Sequence, residues 1–167
     1  LHSTEGKFKC EVARQRILDI NPDAKVEVFN EFYTLGNADC IDFSGFDYVA
    51  DAIDMISSKL LIVEKAKKAG VPVICAMGAG NRLDPTGFTV TDIYNTKDCP
   101  LARVMRRELR KRNITDLKVV FSSESPYKEF NKTADSQTPV IASVSFVPSA
   151  EGLIMASEII KDIITLP

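Results

Sequence analysis

Two stretches of this sequence carry chemically capable side chains at a usable spacing. Asp51-Ala52-Ile53-Asp54 closes a run that begins at Tyr48 and reads as a strand, so two carboxylates three residues apart stand at a strand end. Such a pair suits a hydrated Mg²⁺, which takes carboxylate oxygens and keeps several waters. It equally suits a solvated strand end or a helix cap. Gly78-Ala79-Gly80-Asn81 closes a second apolar run, Val71 to Met77. A Gly-x-Gly turn lets the backbone come close to a ligand. It is not a Gly-x-Gly-x-x-Gly phosphate loop, because no third glycine opens a helix, and a plain tight turn is the alternative.

A third feature is charge. Between Lys97 and Lys118 there are eight Lys or Arg and three acids, a local balance of +5. Arg103, Arg106, Arg107 and Arg110 recur at helical spacing. Such a face can meet phosphates in a salt-dependent way, or it can be an ordinary solvated helix face. Cys99 stands just before Pro100, near a helix start and several arginines. That setting favours a thiolate, with an incidental surface thiol as the alternative.

These residues need a frame. Lys59 to Ala69 reads as a helix closed by Gly70, and Val71 to Met77 as the next strand. Strand, helix and strand within about 30 residues predict a parallel βαβ unit. Ligands in such sheets bind beyond the carboxyl ends of the strands, so the acid pair and the glycine turn should leave the same edge. Upstream, Gly6 to Ile20 reads as a helix stopped at Asn21-Pro22, Val26 to Phe29 as a strand, and Asn37 to Phe43 as a short helix. Downstream, Phe88 to Tyr94, Leu117 to Ser122 and Ile141 to Val147 read as strands. A helix from Pro100 to Asn113, capped by Asp98, shows an apolar stripe of Leu101, Val104, Met105 and Leu109. Ser125 to Thr138 reads as a long polar loop and Ala150 to Ile164 as a closing amphipathic helix.

The bulk properties bound the answer. The chain has 167 residues, 45% apolar and 26% charged, with a net charge of −2. That composition predicts one folded domain over residues 1–167 and excludes a disordered tail or a globally basic nucleic-acid binder. No apolar run reaches the roughly 18 residues of a membrane span. The cysteines, at positions 10, 40, 75 and 99, form no Cys-x-x-Cys pair, and His2 is the one histidine, which argues against a zinc site. Scattered thiols without a signal-peptide pattern predict a reducing cytoplasm, with Cys75 as a core residue.

Together the stretches resemble the ubiquitin-activating-type adenylation family of ThiF, MoeB and HesA. Gly6-Lys7-Phe8-Lys9 and Ile20-Asn21-Pro22 are similar to its G-x-x-K helix start and N-P ending, and Asp51-Ala52-Ile53-Asp54 with Lys59 to its D-x-x-D strand end. The Gly78 to Thr86 block, Val90-Thr91-Asp92-Ile93, Pro100-Leu101-Ala102, Ser145-Phe146-Val147-Pro148 and Gly152-Leu153 resemble the TcdA-type branch, which cyclises threonylcarbamoyladenosine in tRNA. The resemblance implies an α/β, incomplete Rossmann-like domain. Its partly parallel sheet would continue into antiparallel strands, with helices on both faces. It implies ATP and Mg²⁺ as cofactors. Lys9 would touch the nucleotide, Asp54 would hold Mg²⁺ or orient the attacking oxygen, and Lys59 would be a further phosphate contact. Gly78, Gly80, Asn81, Asp84, Arg103, Arg106 and Arg107 would face the substrate. Implied partners are tRNA, a second copy in a homodimer, and a cysteine desulfurase or sulfur relay.

In that family a Gly-rich ATP loop precedes the position matching Leu1. The expectation is therefore a C-terminal portion, roughly two-thirds of a longer enzyme, inactive alone. A sulfur-carrier adenylyltransferase is the alternative in the same family, with Cys99 as its candidate thiol. A non-catalytic tRNA- or protein-binding module is the alternative outside it.

Overall fold

The computed structural model describes residues 2–127 and 141–165, so most of the expected polar loop lies outside the described residues. The chain divides into two compact units, Leu1–Tyr33 and Thr34–Pro167.

The first unit carries helix α1, Lys9–Ile20. Asn21 closes it by donating its backbone N–H to Ile17 O, and Pro22 follows. The expected strand at Val26 to Phe29 is not formed. Its alternation is real, since Val26 and Val28 are half-buried and Glu27 and Phe29 exposed. A strand also needs a ladder, however, and no described strand pairs with it.

The second unit holds the sheet. β1 (Val49–Asp51) pairs parallel with β2 (Val73–Ala76), β2 pairs parallel with β4 (Lys118–Ser122), and β4 pairs antiparallel with β3 (Phe88–Asp92). The spatial order is β1-β2-β4-β3. Helix α2 (Ile56–Ala69) joins β1 to β2, and helix α3 (Pro100–Lys111) precedes β4. Gly70 ends α2 in the left-handed region at φ 72°, where a glycine avoids the Cβ clash.

All four residues of β2 are buried, and the strand's period of two sorts them. Val73 and Cys75 pack with Leu60, Val63, Met105 and Leu109 of α2 and α3. Ile74 and Ala76 pack on the other face with Val147 and Met155 of helix α4, Phe146–Thr165. Helices thus cover both faces, as the α/β reading requires.

Three local expectations give way. Asn37 to Phe43 forms two short 3₁₀ turns, Ala38–Cys40 and Phe43–Gly45, not one helix. Cys99 rather than Asp98 caps α3, its Sγ accepting from Ala102 N–H, while Asp98 takes φ 54°. The expected strand at Ile141 to Val147 is irregular chain that runs into α4. Pro148 sits in the first turn of α4, where its missing N–H would have had no helical partner anyway.

Tyr48 and α4 are tied together at the other end of the sheet. Asp162 accepts from Tyr48 Oη at 2.6 Å and from Lys118 Nζ at 2.9 Å, and Glu158 pairs with Lys118 at 2.9 Å. Burial and the Asp162 carboxylate hold the Tyr48 phenol well above its usual range.

Candidate active site at the carboxyl edge of the sheet

β1 and β2 run parallel, so the turns that follow them leave one edge, and the two turns line one cavity of about 200 Å³. Asp54 enters it from the first turn, Gly78 from the second, Leu101 from α3, and Glu151 and Met155 from α4.

The two carboxylates of Asp51-Ala52-Ile53-Asp54 part company. Asp51 is buried and pairs with Lys59 Nζ at 2.9 Å, both side chains being fully enclosed. Asp51 also accepts from Ile53 N–H at 3.2 Å, and Lys59 donates to Ile53 O at 3.1 Å. The pair clamps the backbone that carries Asp54 out of the strand. Asp54 is exposed and has no partner among the described residues. Lys59 is thus a correction to the sequence reading. At 0% exposure its ammonium is engaged inside the fold and presents nothing to a phosphate. Cys75 lies beside this pair, and burial, reinforced by the Asp51 charge, pushes its thiol well above the ordinary range.

The turn after β2 is built differently. Gly78 takes φ 87°, which favours glycine. A Cβ on Gly80 would fall 2.5 Å from Ile141 Cγ2, so that position requires close approach. Arg82 is buried and donates to the carbonyls of Gly78, Ser122 and Glu124. Glu124 accepts from Leu83 and Asp84 N–H at 3.1 and 3.0 Å. Asp84 accepts from the Thr86 N–H and hydroxyl, which hold its carboxyl below the usual range. Asn81, at φ 57°, exchanges hydrogen bonds with Ala142 and accepts from Tyr127 N–H at 2.7 Å. Of the expected substrate-facing residues, Gly78 lines the cavity, while Asn81 and Asp84 shape the turn.

The arginines separate likewise. Arg106 turns inward and donates to Ile93 O, Thr96 O and the Thr96 hydroxyl. Arg103 and Arg107 are exposed, but Glu108 takes Arg107 at 3.1 Å along with Lys111 and Arg112. Those three cations hold the Glu108 carboxyl down at about 2. Cys99 is 2% exposed, donates towards Met77 O and caps α3, so it is a buried structural thiol and not a surface one. Lys9, exposed at the start of α1, belongs to the first unit.

Sequence reasoning missed Glu151. It lies in the second turn of α4, shortly after Pro148, and nothing local marks it. It is 6% exposed, and its Oε1 has no hydrogen-bond partner among the described residues. Burial raises its carboxyl above the usual range, while the Gly78 N–H and the charges of Arg82 and Lys59 pull the other way. Only the fold brings it beside Gly78.

Among the described residues the cavity is lined by two carboxylates and apolar groups, with no Lys or Arg. No cluster of three or more His, Cys, Asp and Glu among them could hold a metal by itself. The one exposed carboxylate, Asp54, fits a hydrated Mg²⁺ that draws its other ligands from elsewhere.

A parallel-sheet edge of this kind, with an acid after one strand and a glycine turn after the next, is where open α/β sheets bind their ligands. Residues 2–166 match the ThiF family, and the chain belongs to it. It is 37% identical over 175 residues to the tRNA threonylcarbamoyladenosine dehydratase of Bacillus subtilis, covering 98% of this chain and 69% of that protein. Two crystal structures of the Escherichia coli tRNA N6-threonylcarbamoyladenosine dehydratase, one with AMP and one with ATP, superpose with TM-scores of 0.83 at 28% identity. Each match covers 98% of this chain and 67% of the other. Among the described residues no helix is long and apolar enough to cross a membrane.

Proposed function

We propose that this chain is part of an ATP-dependent enzyme that cyclises threonylcarbamoyladenosine in tRNA. The similarity to the Bacillus subtilis dehydratase over 98% of the chain carries the reading. The shared cavity of Asp54 and Gly78 supports it. The threonyl carboxylate attacks the α-phosphate of ATP, pyrophosphate leaves, and ring closure then expels AMP. Asp54 stands at the cavity rim, where it would hold the nucleotide's Mg²⁺ or orient the attacking oxygen. The Asp51–Lys59 clamp fixes the backbone on either side of Ile53, so Asp54 enters in one position, and positioning of this kind supplies much of the rate. Mg²⁺ supplies charge neutralisation on the phosphates when bound. Lys9 contributes a fixed cation near the nucleotide, and Arg103 and Arg107 meet the tRNA backbone.

The enzyme works as a cytoplasmic homodimer. Leu153, Ile160 and Ile164 of α4 are exposed apolar residues that such pairing would cover. The sulfur-carrier alternative, with its sulfur-relay partner, loses its candidate thiol because Cys99 is buried.

The test is the whole gene product incubated with ATP and tRNA bearing threonylcarbamoyladenosine. The expected products are AMP, pyrophosphate and a nucleoside one water lighter. Intact ATP and unaltered nucleoside would sink the reading.

A further inference from the structure

We propose that Glu151 accepts the proton that the substrate's urea gives up as the ring closes. The inference rests on the dehydratase reading. Threonylcarbamoyladenosine joins the threonine nitrogen to the adenine N6 through a carbonyl, so the reacting group is a urea with two N–H bonds. Closure removes water in two parts. The carboxyl oxygen departs with AMP, and the hydrogen comes from a urea nitrogen. If nitrogen attacks the activated acyl carbon, the N–C bond forms, the acyl C–O bond to AMP breaks and the N–H proton must leave. If the urea oxygen attacks, the O–C bond forms, AMP leaves, and an N–H proton is again lost as C=N forms. Both routes require a base and neither requires an oxidant or reductant.

The carboxylates at this edge are mostly engaged elsewhere. Asp51 is paired with Lys59, and Glu124 accepts from the Leu83 and Asp84 amides. Asp54 is exposed at the rim, where solvent reaches it. Two buried carboxylate oxygens, Asp51 Oδ2 and Glu151 Oε1, accept no hydrogen bond among the described residues, and of the two only Asp51 has an ion-pair partner, Lys59 at 2.9 Å, which leaves Glu151, at 6% exposure, as the one with neither. It lines the same cavity as Asp54 and Gly78, between the apolar groups of Leu101, Pro148 and Met155. Those groups keep water away from a carboxylate that burial has already made more basic. A buried carboxylate with one unsatisfied oxygen costs stability, and active sites are where such costs are retained.

The experiment separates the two chemical steps in the whole gene product. tRNA-dependent exchange of pyrophosphate into ATP reads adenylation, and mass analysis of the nucleoside reads closure. Glu151→Gln should keep exchange within about threefold of wild type while closure falls roughly 100-fold or more, the usual weight of a general base. Glu151→Asp, which retains a carboxylate, should recover part of the closure rate and guards against a folding defect in the first variant. Closure by Glu151→Gln at the wild-type rate overturns the inference, as do equal losses of exchange and closure in both variants. If wild type itself neither exchanges nor cyclises, the dehydratase reading fails first and takes this inference with it.

Discussion

After β1 the chain carries Asp54 to the cavity rim with its carboxylate unpartnered among the described residues, whereas after β2 it ties down almost every polar group it brings. Arg82, Asn81 and Asp84 hold carbonyls and amides of their own turn and of residues 122–124 and 142. The two turns leave one edge of one sheet, so the difference lies in side-chain chemistry and not in position. A free carboxylate can act on a ligand. A fully bonded guanidinium can only fix a shape. The first turn thus presents an unengaged carboxylate, and the second a rigid wall with a glycine at its cavity face.

The strongest way to break this contrast is to remove the clamp beneath the first turn. Lys59→Met leaves Asp51 buried and uncompensated, a loss of about 3–5 kcal/mol of stability for an enclosed charge that loses its partner. The double change Asp51→Asn with Lys59→Met should recover most of that, read as urea midpoints. If Lys59→Met unfolds at the wild-type midpoint, the clamp is not what holds the strand end. Asp54→Ala should do the reverse. It sits exposed, so stability stays within about 0.5 kcal/mol, while tRNA-dependent pyrophosphate exchange falls roughly 100-fold or more. Arg82→Ala sharpens the other arm. Leaving the half-buried Gly78 carbonyl and the buried Ser122 carbonyl without the guanidinium should cost about 2–3 kcal/mol, with activity lost only in proportion to unfolding.

How far the sequence reveals this depends on what each residue needs. Asp54 and Gly78 are legible because a parallel βαβ unit fixes the edge before any side chain is considered, and β1, α2 and β2 fall where the pattern puts them within a few residues. Lys59 misleads because a lysine after D-x-x-D looks solvent-facing until the helix period turns it into the core. Arg106 misleads for the same reason, since three of its neighbours on α3 point outward and it does not. Val26 to Phe29 alternates properly but finds no described pairing partner, and pairing is not a local property. Glu151 is invisible because its meaning comes from α4 crossing the end of β2, about 75 residues away in sequence.

Glu151→Gln gives a smaller effect with a definite sign. The folded state raises this carboxyl, so the native protein holds more protons than the unfolded chain across the window between the two values. Its stability therefore falls as pH rises through the ordinary carboxylate range towards the folded value, and stays low above it. The glutamine variant escapes that loss. It should melt higher than wild type at pH 8, by the equivalent of about 1 kcal/mol for relieving one poorly satisfied buried group, and the advantage should shrink towards pH 4. The cluster of Lys118, Glu158 and Asp162 titrates the opposite way. Lysine hydrogen bonds lower both carboxyls, so its contribution is present at neutral pH and is lost as pH falls through the folded values. Comparing the two proteins at each pH cancels that common term. A gain that grew towards acid would contradict the burial of Glu151 as an ionisable group.

The smallest effect concerns the basic helix, and it refines the contrast between free and engaged groups. Glu108 stays ionised at any working pH, because Lys111, Arg112 and Arg107 hold its carboxyl at about 2. It therefore subtracts from the charge that α3 offers, and it ties Arg107 at 3.1 Å, while Arg103 has no ion-pair partner among the described residues. Arg103→Ala should lower the slope of log affinity for tRNA against log salt by about one, the signature of one phosphate contact. Arg107→Ala should lower it by less. Glu108→Gln frees Arg107 and should raise affinity slightly at low salt, an effect that added salt screens away. If Arg103→Ala leaves the slope unchanged, α3 is a solvated face and the tRNA backbone lies elsewhere.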